Sequence, residues 1–254
     1  MTWLGLKLIG LGARALALLL LLLLLFDTDL FVPVLAPLND NGAPVVYRQG
    51  SLLFLSLSHL GLVAVSTLIG GALALLAGIF VTRPAGAEFL PLSRTIVNIG
   101  QTFPPIAVLA IAVPSLGFGA EPTLLALTLY GLLPIFENTM AGLRSVPTTA
   151  LDAARGMGMT GWQRLIKVEL PLALPVILTG IRLSFVVNLG TATIGSTVGA
   201  KSLGEVIMAG ITTTNTAYIL QGGVIVALLA VLIYDALGSL ERTLAKRTGT
   251  AGRS

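Results

Sequence analysis

In a chain that is 55 % apolar and only 10 % charged, few residues could do chemistry, and their spacing limits which chemistry is open. Five charged side chains, Asp152, Arg155, Arg164, Lys167 and Glu169, crowd into one short stretch, "LDAARGMGMTGWQRLIKVELPLALP", Leu151 to Pro175. There is no cysteine, which excludes disulfides, thiolate metal sites and cysteine nucleophiles. His59 is the only histidine, which argues against a histidine-based zinc site or a Ser–His–Asp relay. "GSTVGAKS", Gly195 to Ser202, comes within one residue of the phosphate-binding pattern G-x4-G-K-[ST], with Ala200 in place of the second glycine. A phosphate loop follows a strand, whereas the apolar run before Gly195 reads as a membrane helix, so no nucleotide is expected there.

The charged stretch has the local chemistry of a helix–turn–helix. Thr149 with Asp152 three residues later is a capping-box pattern, and Thr160 with Gln163 repeats it. Gly158 between them lets the chain turn. Trp162, Leu165 and Ile166 are expected on one face of the second helix, with Arg164 and Lys167 elsewhere. Pro171 is expected to stop or kink that helix. On these features alone the pair could rest on lipid headgroups or dock a partner.

The elements around it are hydrophobic spans. Apolar runs cover about 8–26, 57–82, 92–113, 121–142, 174–198 and 218–239, each long enough to cross a bilayer core of about 30 Å. The predicted fold is all-α, a polytopic membrane protein of six transmembrane helices. Lys7 and Arg14 before the leucine run Leu18–Leu25 resemble a secretory signal, but no small-x-small site precedes Asp27, so an uncleaved first helix is expected. Lys7, Arg83, Arg94, Arg144, Arg155, Arg164, Lys167, Arg242, Lys246, Arg247 and Arg253 fall on one side of this arrangement. The other side holds Arg48 and Lys201 with Asp27, Asp29, Asp40, Glu121 and Glu205. The positive-inside rule then puts both termini and the charged loop in the cytoplasm. The net charge of +4 is thus a topology signal, and no nucleic-acid partner is expected.

The run Asp152-Ala153-Ala154, x3, Gly158, x9, Val168-Glu169-Leu170-Pro171 resembles the EAA loop of ABC importer permeases, which reads Glu-Ala-Ala, x3, Gly, x9, Ile, x, Leu-Pro. Asp152 and Val168 are conservative departures. The resemblance implies a MetI-like permease core. Its cytoplasmic coupling helix, carried by Asp152, Ala153, Ala154, Gly158, Trp162, Leu165, Leu170 and Pro171, would sit in a cleft of an ATPase subunit. It also implies two ATP-binding subunits, a second permease copy or paralogue, and an extracytoplasmic substrate-binding protein. ATP and magnesium would then belong to the partner, with no cofactor or catalytic residue on this chain. The implied division is a first helix and external loop (1–50), a permease core (51–240) holding the coupling loop (145–172), and a polar tail (241–254). The implied setting is a bacterial inner membrane. "QTFPPIAVLAI", "GLLPIFENTMAGL" and "GTATIGSTVGAKSLG" are similar to the osmoprotectant branch, whose members import glycine betaine, choline or carnitine. That branch usually reads Gly-Ala-Gly-Gly-Leu-Gly at Gly199–Gly204, and often Arg at the position of Glu137.

Charged groups in a span cost roughly 2.5–3.5 kcal/mol, so each needs a reason. Glu137 and Arg182 lie at similar depths, which predicts an ion pair between them. Asn138, Asn188, Thr191 and Thr193 are candidates for a translocation path or for bonds between helices. His59 reads as a structural donor and Trp3 as an interfacial anchor. An importer of another small solute, such as an amino acid, shares the class. An ion-coupled secondary transporter should show inverted repeats, which are not apparent. A membrane scaffold recruiting a partner through the loop would show no substrate-dependent ATP turnover.

Overall fold

The computed structural model describes residues 3–39 and 42–247, with side chains from Gly10 to Lys246. Asp40 and Arg253 lie outside the described residues, as do the side chains of Trp3 and Lys7. Among the described residues every regular element is helical. The longer helices are α1 (Trp3–Phe26), α2 (Leu52–Val81), α3 (Leu90–Thr102), α4 (Pro105–Leu116) and α5 (Ala120–Arg144). They are followed by α6 (Thr148–Gly156), α7 (Leu170–Thr191), α8 (Gly204–Thr212) and α9 (Thr216–Arg247).

Four stretches are long and apolar enough to cross a membrane as single helices: Leu52–Val81, Ala120–Arg144, Gly161–Val198 and Thr216–Lys246. Six spans result only if two bent pairs each count as one. The first pair is Gly10–Phe26 with Thr28–Leu38, bent by 107°. The second corrects the continuous helix expected over 92–113: α3 and α4 meet at 96°. Pro104 crowds the residue before it out of the helical region, and Phe103 is accordingly extended, at φ −75° and ψ 132°.

The chain divides into two compact units. One comprises Met1–Val63, Leu109–Leu124 and Leu189–Ile233. Its core gathers Leu24, Leu52, Leu203, Val206, Tyr218 and Ile225. The loop after Gly42 is pinned to it by polar contacts. Tyr47 N–H donates to Gln221 Oε1 at 2.9 Å, and Asn215 Nδ2 donates to the Pro44 carbonyl at 2.8 Å. The Tyr47 ring stands edge-on to Tyr218, and burial together with the nearby Glu205 carboxylate pushes its phenol pKa up. His59 is fully buried, and its Nε2 lies 2.9 Å from the Leu189 carbonyl. A carbonyl only accepts, so Nε2 carries the proton, which makes His59 the structural donor the sequence suggested. Gly195–Ser202 also lies in this unit and begins within a 3-10 segment (Ala192–Val198) that continues α7, so no strand precedes it.

The other unit comprises Ala64–Val108, Leu125–Asn188 and Tyr234–Ser254. Ile135, Phe136 and Met140 of α5 pack with Ala74, Val81 and Val97. Lipid tails are as apolar as these side chains, so close packing rather than transfer from water holds the helices together. Gly100 shows how close: a Cβ there would run into the Leu129 carbonyl. Tyr130 repairs two irregularities of this unit. Pro134 has no N–H for the Tyr130 carbonyl four residues back, and Gln101 Nε2 donates to that carbonyl instead, at 3.1 Å. The Tyr130 hydroxyl donates to the Phe103 carbonyl at the α3–α4 break, at 2.7 Å. The tail expected to start at 241 remains helical to Arg247.

Candidate docking site

The charged loop folds as two short helical arms about Gly158. α6 begins directly after Pro147, with no side-chain cap. The box expected from Thr149 and Asp152 does not form, and Asp152 pairs instead with Arg155 at 2.9 Å. Pro147 fixes its own φ and leads straight into the first turn, so the helix starts one residue ahead of Thr149. Gly158 has φ +74°, the left-handed region, and the space beside its α-carbon is empty. The second box does form. Thr160 Oγ1 accepts from Gln163 N–H at 3.3 Å, and Gln163 Oε1 accepts from Thr160 N–H at 3.0 Å.

A single α-turn, Gly161–Arg164, then passes into a π-turn, Leu165–Glu169, which runs into α7. Of the stop or kink expected at Pro171 the stop does not occur, and the irregularity takes the form of this widened turn. The Pro171 ring would meet the Lys167 carbonyl in a regular helix, and the wider turn just ahead relieves that clash. The same turn divides the expected apolar face. Leu165 points inward, 4 % exposed, against Leu143, Ala173 and Ile177. Trp162 and Ile166 face outward at 69 % and 46 %, joined by Met157 at 68 %. Asp152, Ala153 and Gly158 are exposed, Leu170 is half-buried, and Ala154 is buried. The surface open to a partner is thus Met157, Trp162 and Ile166 rather than Trp162 with Leu165.

Sequence reasoning missed Met157 and the anchor beneath this surface. Glu169 is 4 % exposed, and each of its oxygens has a guanidinium. Arg83 Nη2 lies 2.6 Å from Oε2, and Arg164 Nε donates to Oε1 at 2.9 Å. Arg83 had been counted only as a topology charge. A glutamate between Val168 and Leu170, two residues before Pro171, is the signal the sequence offers.

The predicted Glu137–Arg182 pair is not made. Arg94 of α3 grips Glu137 with two bonds, Nε to Oε1 at 3.0 Å and Nη2 to Oε2 at 3.2 Å. Arg182 pairs with Glu241 of α9 at 3.2 Å and lies 4.5 Å from the centre of the Tyr234 ring, while Thr179 Oγ1 donates to Glu241 Oε1. Depth matches Glu137 to Arg182, but Arg94 reads in sequence only as a topology charge and Glu241 falls in the polar tail. Asn138 Nδ2 donates back to Pro134 O at 2.8 Å, and Thr193 Oγ1 donates to Gly190 O at 2.7 Å. Thr191 is half-buried, and Asn188 is fully enclosed by the chain. Among the described residues no cluster of acidic, histidine or cysteine side chains could hold a metal ion.

Residues 70–248 match the family described as binding-protein-dependent transport system inner membrane component. The chain is 43 % identical over 201 residues to the Osmoprotectant import permease protein OsmY of Salmonella typhimurium, covering 79 % of this chain and 85 % of that protein. It is 38 % identical over 208 residues to the Glycine betaine/carnitine/choline transport system permease protein OpuCB of Bacillus subtilis, covering 81 % and 90 %. Among solved structures, a chain of the inward-facing MetNI methionine ABC transporter superposes with a TM-score of 0.69 at 27 % identity, covering 76 % of this chain and 95 % of that one.

Proposed function

From the premise that this chain belongs to the binding-protein-dependent transport inner membrane components, the permease subunits of ABC importers, we propose that it imports quaternary-amine osmoprotectants such as glycine betaine, choline or carnitine. It is a multi-pass membrane subunit, and its relatives are transport permeases rather than enzymes. ATP hydrolysis belongs to separate subunits of the assembly. In our reading residues 51–240 form the permease core and 145–172 the coupling loop. Two ATP-binding subunits dock on that loop from the cytoplasm, bringing their own ATP and magnesium. A second permease copy or paralogue completes the passage, with Asn138, Thr191 and Thr193 as candidates to line it, and an extracytoplasmic protein delivers the solute. Asn188 enters this reading only if another conformation uncovers it.

The observation that carries the coupling reading is the exposed trio Met157, Trp162 and Ile166, set on a capped turn. Large apolar side chains in a cytoplasmic loop are what a partner's cleft would cover. The names of the relatives support the solute class. Its amino-acid alternative rests on the likeness to the methionine transporter, at lower identity. The test is co-purification with the ATPase subunit encoded beside the gene, for wild type and for Gly158→Asp. Aspartate tolerates the left-handed region better than most residues, so the turn can persist while a charge enters the cleft. Retention by wild type and loss by the variant is the expected result. Equal retention by both would remove the loop from the docking site.

A further inference from the structure

Glu169 occupies a position that a regular helix could not supply. Five residues separate it from Arg164, and at about 100° per residue position i+5 lies about 140° round an α-helix. The π-turn Leu165–Glu169 brings the two side chains to one side, and Pro171 is the residue that makes the wide turn favourable. In that register the carboxylate meets Arg164 below the docking surface and Arg83 from the turn just after α2. Three segments therefore converge on one buried side chain: the arm carrying Trp162, the end of α2, and the start of α7.

A buried ion triad is a poor device for stability, because desolvation offsets most of the Coulomb gain. What it does well is fix geometry, since its three groups are satisfied in one arrangement only. We propose that Glu169 is a positioning residue for energy coupling. It makes the coupling arm, the end of α2 and the root of α7 move as one body, so that displacement received at Trp162 reaches two membrane helices rather than one. This rests on the docking role of the loop proposed above. The continuous backbone from Gly161 to Thr191 already links the loop to α7, and the Arg83–Glu169 bridge adds α2.

The chain has no cysteine, so introduced labels are unique. Spin labels at Lys167→Cys on the arm that carries Trp162 and Leu76→Cys on α2, both exposed, report the separation of arm and helix in the complete complex with its ATPase subunits and binding protein. The inference expects one narrow distance distribution, unchanged between nucleotide-free and vanadate-trapped complex. Arg83→Gln should broaden it and lower the glycine betaine imported per ATP by about two- to thirtyfold, the span of mutations along a coupling network. Co-purification of the ATPase subunit should be retained. Arg83→Lys should restore both readouts, because Arg83 offers Glu169 a single charge contact and its other side-chain bonds go only to the neighbouring Thr82. Glu169→Gln removes the centre of the triad and should have the larger effect, whereas Arg83→Gln leaves Arg164 in place and the fold less disturbed. A distance that changes on trapping in the wild-type complex overturns the inference, and so does unaltered import per ATP in Arg83→Gln. Failure of the underlying docking reading shows separately, as equal ATPase retention by wild type and Gly158→Asp.

Discussion

At the scale of single residues, the pairing of membrane charges is decided by which helix lies alongside rather than by matching depth. Glu137 and Arg182 each found a nearer partner, on α3 and α9 respectively. A double-mutant cycle in detergent, read by thermal stability, separates the two arrangements. Arg182→Gln with Glu241→Gln should show a coupling of about 0.5–3 kcal/mol, whereas Arg182→Gln with Glu137→Gln should be additive to within about 0.5 kcal/mol. Arg94 with Glu137 is half-exposed in this chain and should couple more weakly, by about 0.2–1 kcal/mol. The capping box at Thr160 belongs to the same scale. Thr160→Ala removes one side of a reciprocal pair and should cost about 1 kcal/mol of local helix stability. Faster hydrogen exchange at the Gln163 amide, with Thr160→Ser close to wild type, is the expected sign.

At the scale of elements, long apolar runs and one of the two capped turns were legible, and departures from helical regularity were not. The second box, at Thr160 and Gln163, was readable because all its chemistry lies within four residues. The α3–α4 break was signalled by Pro104-Pro105, yet hydropathy averaged over 92–113 concealed it. No local pattern could show that Tyr130 would repair that break, because its partners are about thirty residues away in sequence. The π-turn escaped for a related reason: Pro171 announces an irregularity, but neighbouring groups decide whether the helix stops, kinks or widens. Helix contact was equally hidden, since Gly100 is one glycine among 29. Gly100→Ala should separate α3 from the Leu129 carbonyl and cost about 1–3 kcal/mol. At Gly61, within α2, nothing lies near the added methyl, and alanine should be neutral or stabilising by up to about 1 kcal/mol. Opposite shifts in melting temperature are the expected result.

At the scale of the whole molecule, the two bent pairs decide the topology, because each can cross the membrane or return to the side it left. If both cross, or neither does, the two termini share a side; if one alone crosses, they do not. Charge favours a crossing for α3 and α4. Arg83 and Arg94 precede the bend and Glu121 follows it, so a crossing keeps the cations on the side of Arg144, Arg155 and Lys167. A return would put the α5 N-terminus with the arginines and carry Arg144 and the whole charged loop to the far face, away from any ATP-driven partner. Single cysteines at Gln49, Phe118 and Thr149, all exposed, can be read with a membrane-impermeant maleimide without background. Labelling of Gln49→Cys and Phe118→Cys from the outside of intact cells, with Thr149→Cys reacting only after permeabilisation, is the expected pattern. Protection of Phe118→Cys together with external labelling of Thr149→Cys would make the α3–α4 pair re-entrant. The docking loop would then face the wrong compartment, and the coupling reading would fall with it.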